Sequence, residues 1–435
     1  MIRLAFMTDE TRVIGASTEQ GNAARFEVMP PALAGVMREL YHGRYAGEHI
    51  VVGAGSLGQW TEAAARESKV WVLGREPREL PEGLEQVTSI KPLVDRFANS
   101  VEELLVAGGA TTLRLLLPYA TRIDIALTDA TVPGDVRFDE WDDGSFGVIS
   151  ETPWDGGRTL HLVRTRAAEP ATLELLRLSN AVALYMQGIR DGDARRAIYA
   201  YTGARYTQHS TGVPDGPEGF LEFFEPFLAR NPERDIRAIR GWADGRKVFL
   251  HVFQSLKESS GEGAAQWVTT DLFDTDDEGK IIEHWDVIAA YAPKTPSGHT
   301  SVDGPGEIRD LPATDRNKQV VRDLITNVLM RGGDPSRVGE YISAERYVEH
   351  NAEVSDGLAA FRAALEADER ALWYDEIVLL TGRGNFVSTL CKTNWKGQPF
   401  AQVDIFRLED GRVVEHWDCA EPCPPPQQLA NSGKF

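Results

Sequence analysis

Two stretches of this chain carry one polar set. Tyr206, His209, Asp215 and Gly216 precede Glu283-His284-Trp285-Asp286, and Tyr347, His350, Asp356 and Gly357 precede Glu415-His416-Trp417-Asp418. Residue 347 follows 206 by 141 positions and the other three pairs keep that offset, whereas the closing tetrapeptides lie 132 apart. Four residue types in register, followed by a repeated string, mark a duplicated domain. On an extended strand alternate side chains share a face. His284 and Asp286, like His416 and Asp418, therefore point one way, while Glu283 with Trp285, and Glu415 with Trp417, point the other. An imidazole and a carboxylate facing one hollow suit proton transfer, the carboxylate as acid or base and the imidazole as tuner or relay. His209, His350, Tyr206 and Tyr347 are expected to close the mouth of the same pocket.

A plainer reading stays open beside this one. A His-Trp-Asp string also serves a buried hydrogen-bonded network, Asp-Gly makes a turn, and Tyr206 and Tyr347 can be packing residues. Asp271 and Asp404, each with a Phe two residues on, are either pocket acids or partners of a neighbouring backbone. Two histidines and an aspartate match zinc or iron ligand types, but no HxxxH-type spacing accompanies them, so no metal is expected.

The elements around these residues fall into three segments. Residues 1–166 alternate strand-like runs (2–7, 49–53, 69–73, 123–128, 160–164) with amphipathic ones (31–41, 92–105), the signature of an α/β sheet. Residues 177–291 open on one long helical pattern, 178–201. Strands follow at 247–254 and 266–273, then a turn at 276–279 and the closing strand 280–289. Residues 292–316 are rich in Pro, Gly and Ser and read as a linker. Residues 317–421 repeat the plan with helices at 318–331 and 335–341 and strands at 386–394, 400–407 and 413–419, and 422–435 form a tail.

At 435 residues the chain allows about three domains. A net charge of −20 excludes a general nucleic-acid binder or a partner of anionic membranes, both of which want basic faces. Cys391, Cys419 and Cys423 are too few and too clustered for a disulfide framework, which fits a reducing, cytoplasmic setting. The opening residues read as a first strand rather than a signal peptide. No apolar run approaches membrane-crossing length.

The phrase Tyr-x-x-His-x(5)-Asp-Gly, followed by an acidic hairpin and Glu-His-Trp-Asp, resembles the SnoaL-like group of the nuclear-transport-factor-2-like superfamily. The resemblance implies two α+β cones, each a curved antiparallel sheet wrapped by helices around a pocket. It implies proton-transfer chemistry without a cofactor, with Asp286 and Asp418 as the acid/base. Residues 1–166 resemble a dihydrofolate reductase-type α/β domain, carried by Arg12-Val13-Ile14-Gly15, by Val106-Ala107-Gly108-Gly109-Ala110-Thr111, by residues 120–128 and by Gly134-Asp135-Val136-Arg137-Phe138. That resemblance implies NADPH phosphates on the Gly108, Gly109, Ala110 and Thr111 turn, with Ser56 nearby. The pattern departs at Ala32, where the family carries its substrate carboxylate, and at Ala54, where it carries a phosphate-gripping arginine. The substrate loop is replaced by residues 16–25. Folate reduction is therefore not expected.

Three functions follow. One is a secondary-metabolite tailoring enzyme that cyclises, isomerises or dehydrates a polyketide-like or other small carbonyl substrate. A second is an NADPH-dependent reductase fused to ligand-processing cones, Arg75 being either a contact for a 2′-phosphate or a lone surface arginine. The third is a non-catalytic binding or assembly protein, its cones paired as an internal pseudo-dimer or in a homo-oligomer.

Overall fold

The computed structural model describes residues 1–17, 30–42, 49–59, 68–166, 170–257, 264–367 and 372–435. The chain divides into two compact units, Met1–Ser179 and Asn180–Phe435.

The first unit is built on β1 (Ile2–Thr8), β2 (Val13–Gly15), β3 (His49–Gly53), β4 (Lys69–Leu73), β5 (Leu84–Val87), β6 (Leu104–Val106), β7 (Arg122–Thr128), β8 (Val136–Arg137), β9 (Phe146–Trp154) and β10 (Gly157–Arg164). Eight of them form a sheet in the order β5-β4-β3-β6-β1-β7-β10-β9, while β2 and β8 pair separately. The sheet is parallel from β5 to β7 and turns antiparallel at β10 and β9. β1 is buried at every position, as a central parallel strand covered on both faces must be. Its Arg3 is accommodated by charge, with Nη1 2.6 Å from Asp124 and Nε 2.9 Å from Glu103, while His161 Nδ1 lies 2.7 Å from Asp124. Burial alone would raise the Asp124 carboxyl, but the His161 hydrogen bond and the Arg3 charge bring it down to about 2. The amphipathic run at 92–105 is not one helix. The helix Lys91–Phe97 stops, and the wholly buried Leu104–Val106 enters the sheet as β6 between β3 and β1.

The second unit holds both repeats. The first contributes β11 (Thr202–Gln208), β12 (Glu233–Asp244), β13 (Lys247–Lys257), β14 (Ala264–Thr275) and β15 (Ile281–Ala290). The second contributes β16 (Val348–Glu349), β17 (Leu372–Arg383), β18 (Phe386–Trp395), β19 (Gln398–Glu409) and β20 (Arg412–Pro422). The sheets correspond strand for strand, β11-β15-β14-β13-β12 and β16-β20-β19-β18-β17. Each has one parallel edge pair beside antiparallel ladders. The helical pattern at 178–201 is interrupted: the helix Pro170–Ala183 runs into a π-helical turn, Leu184–Arg190, and restarts at Ala194 after Gly192, whose φ is 84°. The second repeat has a matching π-helical turn, Ile325–Leu329, after the helix Thr314–Leu324.

The outward faces of the two sheets share one core. Trp242, Phe249, Leu272 and Trp285 of the first pack with Phe386, Leu390, Val403, Ile405 and Trp417 of the second. Trp242 is fully buried, lies 4.5 Å from the Phe249 ring centre, and donates its indole N–H to Thr381 Oγ1 across the seam at 3.0 Å. The expected linker is also docked: Trp417 Nε1 and Arg240 Nη2 both donate to the Asp303 carbonyl, at 2.9 Å each. Among the described residues no helix is long and apolar enough to cross a membrane. Trp242→Ala should cost about 3–5 kcal/mol by urea unfolding, because it empties the seam and leaves the Thr381 hydroxyl with Ser388 as its remaining partner there. A loss below about 1 kcal/mol would deny that the sheets depend on it.

Candidate functional site

Strand alternation sets the geometry of both repeats. In the first, Asp271 on β14 lies directly across from Asp286 on β15. His284 places Nε2 2.9 Å from Asp271 Oδ1 and Nδ1 2.8 Å from Gln208 Oε1. Tyr185, from the π-helical turn, donates to Asp271 Oδ1 at 2.8 Å, and Gln208 Nε2 donates to Tyr206 Oη at 2.9 Å. All five of these side chains are buried, as is Asp286. Burial pushes Asp271 up, and burial with the charges of Asp271 and Asp286 pushes the Tyr206 phenol up. Asp286 goes the other way. Burial would raise it, but Lys434, 2.9 Å from its Oδ1, and then His284 hold it below the usual carboxylate range. Asp271, His284 and Asp286 also have metal-ligand types, with atoms within 4.8 Å of one another, but the cation against Asp286 here is the Lys434 ammonium.

The second repeat builds the same group with different charges. His416 Nε2 lies 3.2 Å from Asp404 Oδ1, and Nδ1 lies 2.9 Å from Glu349 Oε1, where the first repeat has Gln208. Tyr374 donates to Asp404 at 2.9 Å and Tyr347 to Glu349 at 2.6 Å. Burial opposes charge on His416, but Glu349 and then Asp404 outweigh it and hold the ring as an imidazolium, its pKa well above the ordinary range. Asp418, across from Asp404, accepts from Asn351 Nδ2 at 2.8 Å. Desolvation pushes Asp418 up to about 6 despite the favourable His416 charge, with Glu349 and Asp404 adding to the rise. A carboxyl titrating there has the affinity a general acid or base needs near neutrality.

His209 and His350 do not join these groups. Residues 208 and 209 alternate along the chain, so Gln208 turns inward with Tyr206 and His209 turns to the other face. There His209 stacks on Trp285 at 4.9 Å and meets Glu283 at 3.0 Å. His350 repeats this with Trp417 at 4.6 Å and Glu415 at 3.0 Å. Asp215 and Asp356 are structural, accepting from the backbone N–H groups of Gln208 (2.7 Å) and Glu349 (2.8 Å). Sequence reasoning missed Gln208 and Glu349, although their two-residue spacing from Tyr206 and Tyr347 is the same signal that paired His284 with Asp286. Tyr185 and Tyr374 come from non-equivalent elements, a helix and a strand, so the repeat could not reveal them.

In the first unit β3 and β6 are neighbours, yet the chain leaves β3 toward β4 and leaves β6 toward β7, on opposite sides. Such a switch point opens a crevice at the carboxyl ends of the strands. Gly53, Gly108 and Gly109 lie there, and Gly53 N donates to the Gly108 carbonyl at 3.1 Å. A Cβ on Gly53 would stand 2.7 Å from Thr112 Oγ1, and one on Gly109, whose φ is 77°, 3.1 Å from Ser56 Oγ. The expected residues Ser56, Gly108, Gly109, Ala110 and Thr111 are thus gathered at the end of the sheet, with Thr112 added. Ala54 supplies no cation, but Arg78 Nη1 donates to the Ala54 carbonyl at 3.1 Å. The helix Pro31–His42, which includes Ala32, has no acidic residue in its first turn. Residues 18–25 of the replaced loop lie outside the described residues.

The raised Asp418 carboxyl has a measurable consequence. The folded state holds this proton more tightly than the unfolded chain, so its stabilisation is complete below about pH 4 and is lost as pH rises through about 6. Asp418→Asn should remove that part of the pH–stability slope, a difference of about 3 kcal/mol between those limits in urea unfolding. A parallel profile for the variant would show that Asp418 titrates normally.

A dihydrofolate reductase family profile matches residues 46–161. The dihydrofolate reductase HdrB of Haloferax volcanii is 34% identical over 83 residues, which are 18% of this chain and 43% of that protein, so the chain spans less than half of this relative. A solved dihydrofolate reductase from Enterococcus faecalis, complexed with NADP(H) and RAB-propyl, is 17% identical with a TM-score of 0.31, covering 38% of this chain and 97% of that one. The N-terminal unit carries a dihydrofolate reductase-like α/β domain.

Proposed function

We propose that the N-terminal domain is an NADPH-dependent reductase acting on a substrate other than dihydrofolate, joined to repeats that process a small carbonyl compound by proton transfer. The observation that carries this reading is the glycine crevice at the switch point of the sheet. Gly53 and Gly109 keep the backbone bare where a Cβ would collide with hydroxyl groups, and bare backbone is what a pyrophosphate needs in order to approach. Ser56 and Thr112 would donate to the phosphate oxygens. Arg78 brings a guanidinium to the Ala54 loop, where the family pattern has its arginine, and Arg75 follows Gly74 in the same turn. When bound, NADPH supplies a hydride. The residues of this chain bind and orient it. With no carboxylate at Ala32 the domain lacks the group that would protonate a pteridine, which supports a different acceptor.

The second unit reads as two SnoaL-like cones of the nuclear-transport-factor-2-like superfamily, paired within the chain. A buried imidazole held against an acid in each repeat, and between two acids in the second, favours acid/base work over simple packing. Asp418, with its raised affinity for a proton, would take one from a carbon alpha to a carbonyl, and the His416 imidazolium would stabilise the enolate charge. Cyclisation, isomerisation and dehydration all begin with that step.

Fluorescence titration of the full chain tests the first reading. NADPH should bind in the micromolar range, and dihydrofolate should not be reduced. Gly53→Ala should weaken NADPH about tenfold or more by driving a methyl into Thr112 and should lower the unfolding midpoint, whereas Ser56→Ala, which removes a donor and adds no atom, should weaken NADPH with an unfolding midpoint close to the parent's. Absence of NADPH binding up to millimolar concentration would remove the reductase reading.

A further inference from the structure

The two repeats treat their equivalent aspartates differently. In the first, the segment 429–435 lies across the end of β11. Ala430 N donates to the Thr211 carbonyl at 3.3 Å and Asn431 Nδ2 to the Val213 carbonyl at 2.9 Å, while the Gly433 carbonyl stands 2.7 Å from His209 Nδ1. These contacts deliver Lys434, 5% exposed, to Asp286 Oδ1 at 2.9 Å and to Glu421. In the second repeat the corresponding place over His350 is taken by another segment, with the Thr300 carbonyl 2.8 Å from His350 Nδ1 and Asp303 Oδ1 at 2.9 Å. Residues 295–306 contain no lysine. Asp418 meets the neutral amide of Asn351 instead and stays partly exposed, whereas Asp286 is buried.

We propose that the second repeat is the ligand-binding one and that segment 429–435 holds the first shut, with Lys434 filling the place beside Asp286 that a ligand's polar end would take. The ligand's chemistry, though not the asymmetry, rests on the proton-transfer reading. The polar end of the second site is Asp418 with Asn351. Its apolar side is Phe361, edge-on to His416 at 6.4 Å and to Tyr347 at 5.7 Å, with partly buried Leu358, Leu365, Leu372 and Ile377 packed on the same core. Such a surface fits a small, largely apolar molecule bearing one carbonyl or hydroxyl group. An ammonium held between two carboxylates, Asp286 and the partly buried Glu421, resists removal, because Asp286 left behind would be a buried, uncompensated charge. The first repeat therefore stays closed while the segment is docked.

Carboxylate access in the full chain reads this directly. A water-soluble carbodiimide with glycinamide, followed by peptide mass spectrometry, should modify Asp418 about tenfold faster than Asp286 in the parent protein. Lys434→Met keeps the apolar stem and removes the charge, and it should bring the two rates close together. Lys434→Arg, which keeps a cation, should preserve the protection and thereby control for a general loosening of the fold. Nile red, a neutral apolar probe, should bind one equivalent per parent chain and two per Lys434→Met chain. Equal modification of the two aspartates in the parent, an unchanged ratio in Lys434→Met, or a dye stoichiometry other than one in the parent would overturn the proposal. Neither readout depends on turnover, so failure of the proton-transfer chemistry would leave both results standing.

Discussion

Side-chain alternation along β15 and β20 is the constraint on which the second unit depends. Each closing strand must serve two interiors at once. Its Trp faces the neighbouring sheet, where Trp285 and Trp417 join one apolar core. Its His and Asp face the opposite way, into the group formed with β14 or β19. A one-residue slip in register would exchange these faces, placing acids in the seam and indoles among the acids. The stacked His209–Trp285 and His350–Trp417 pairs, each tied to the strand's own glutamate, hold that register from the outer face. The residues that resemble catalytic histidines at the level of sequence are therefore the pins that position the ones facing inward.

Duplication preserved this scaffold and let the charges drift. Gln208 and Glu349 occupy equivalent positions against the histidine, but only the second makes that histidine's environment anionic on both sides. Two carboxylates flanking an imidazole favour its charged form, and in the second repeat they hold His416 protonated. The acids diverge in the same sense. Asp286 has an ammonium partner and Asp418 an amide one, so the first is held ionised while the second keeps its proton into the mildly acidic range. One substitution in a short edge strand and one lysine in a distant segment thus give two nearly congruent sheets different proton affinities.

Much of this was legible in the sequence. The repeated polar set, the face shared by His284 and Asp286, the turn at 276–279 and the alternation of strands and helices in the first unit follow from spacing and apolar pattern, and the two five-stranded sheets correspond strand for strand. The local pattern failed where tertiary contacts decide. Leu104–Val106 sits at the end of an amphipathic run and becomes a strand only because β1 and β3 need a neighbour between them. Gly192 breaks a helix that periodicity carries straight through. The segments at 295–306 and 429–435 have linker composition, yet both are docked by backbone hydrogen bonds, which a pattern of side chains cannot announce.

The first unit illustrates a different limit, since its crevice is defined by what is missing. Gly53 and Gly109 matter through the space that a methyl group would take from Thr112 and Ser56. Ala32 and Ala54 matter through the charges they do not carry. A family pattern registers the two alanines as losses, but space decides whether a loss is repaired. At Ala54 the Arg78 guanidinium donates to the loop's own carbonyl, so a cation stands there from a different point in the chain. At Ala32 the first helical turn offers no acid in compensation. Under the proposed reading, bare backbone for a dinucleotide and an acid for a pteridine are separate requirements, and the described residues offer the first at Gly53 and Gly109 but not the second in the first turn of the helix that holds Ala32.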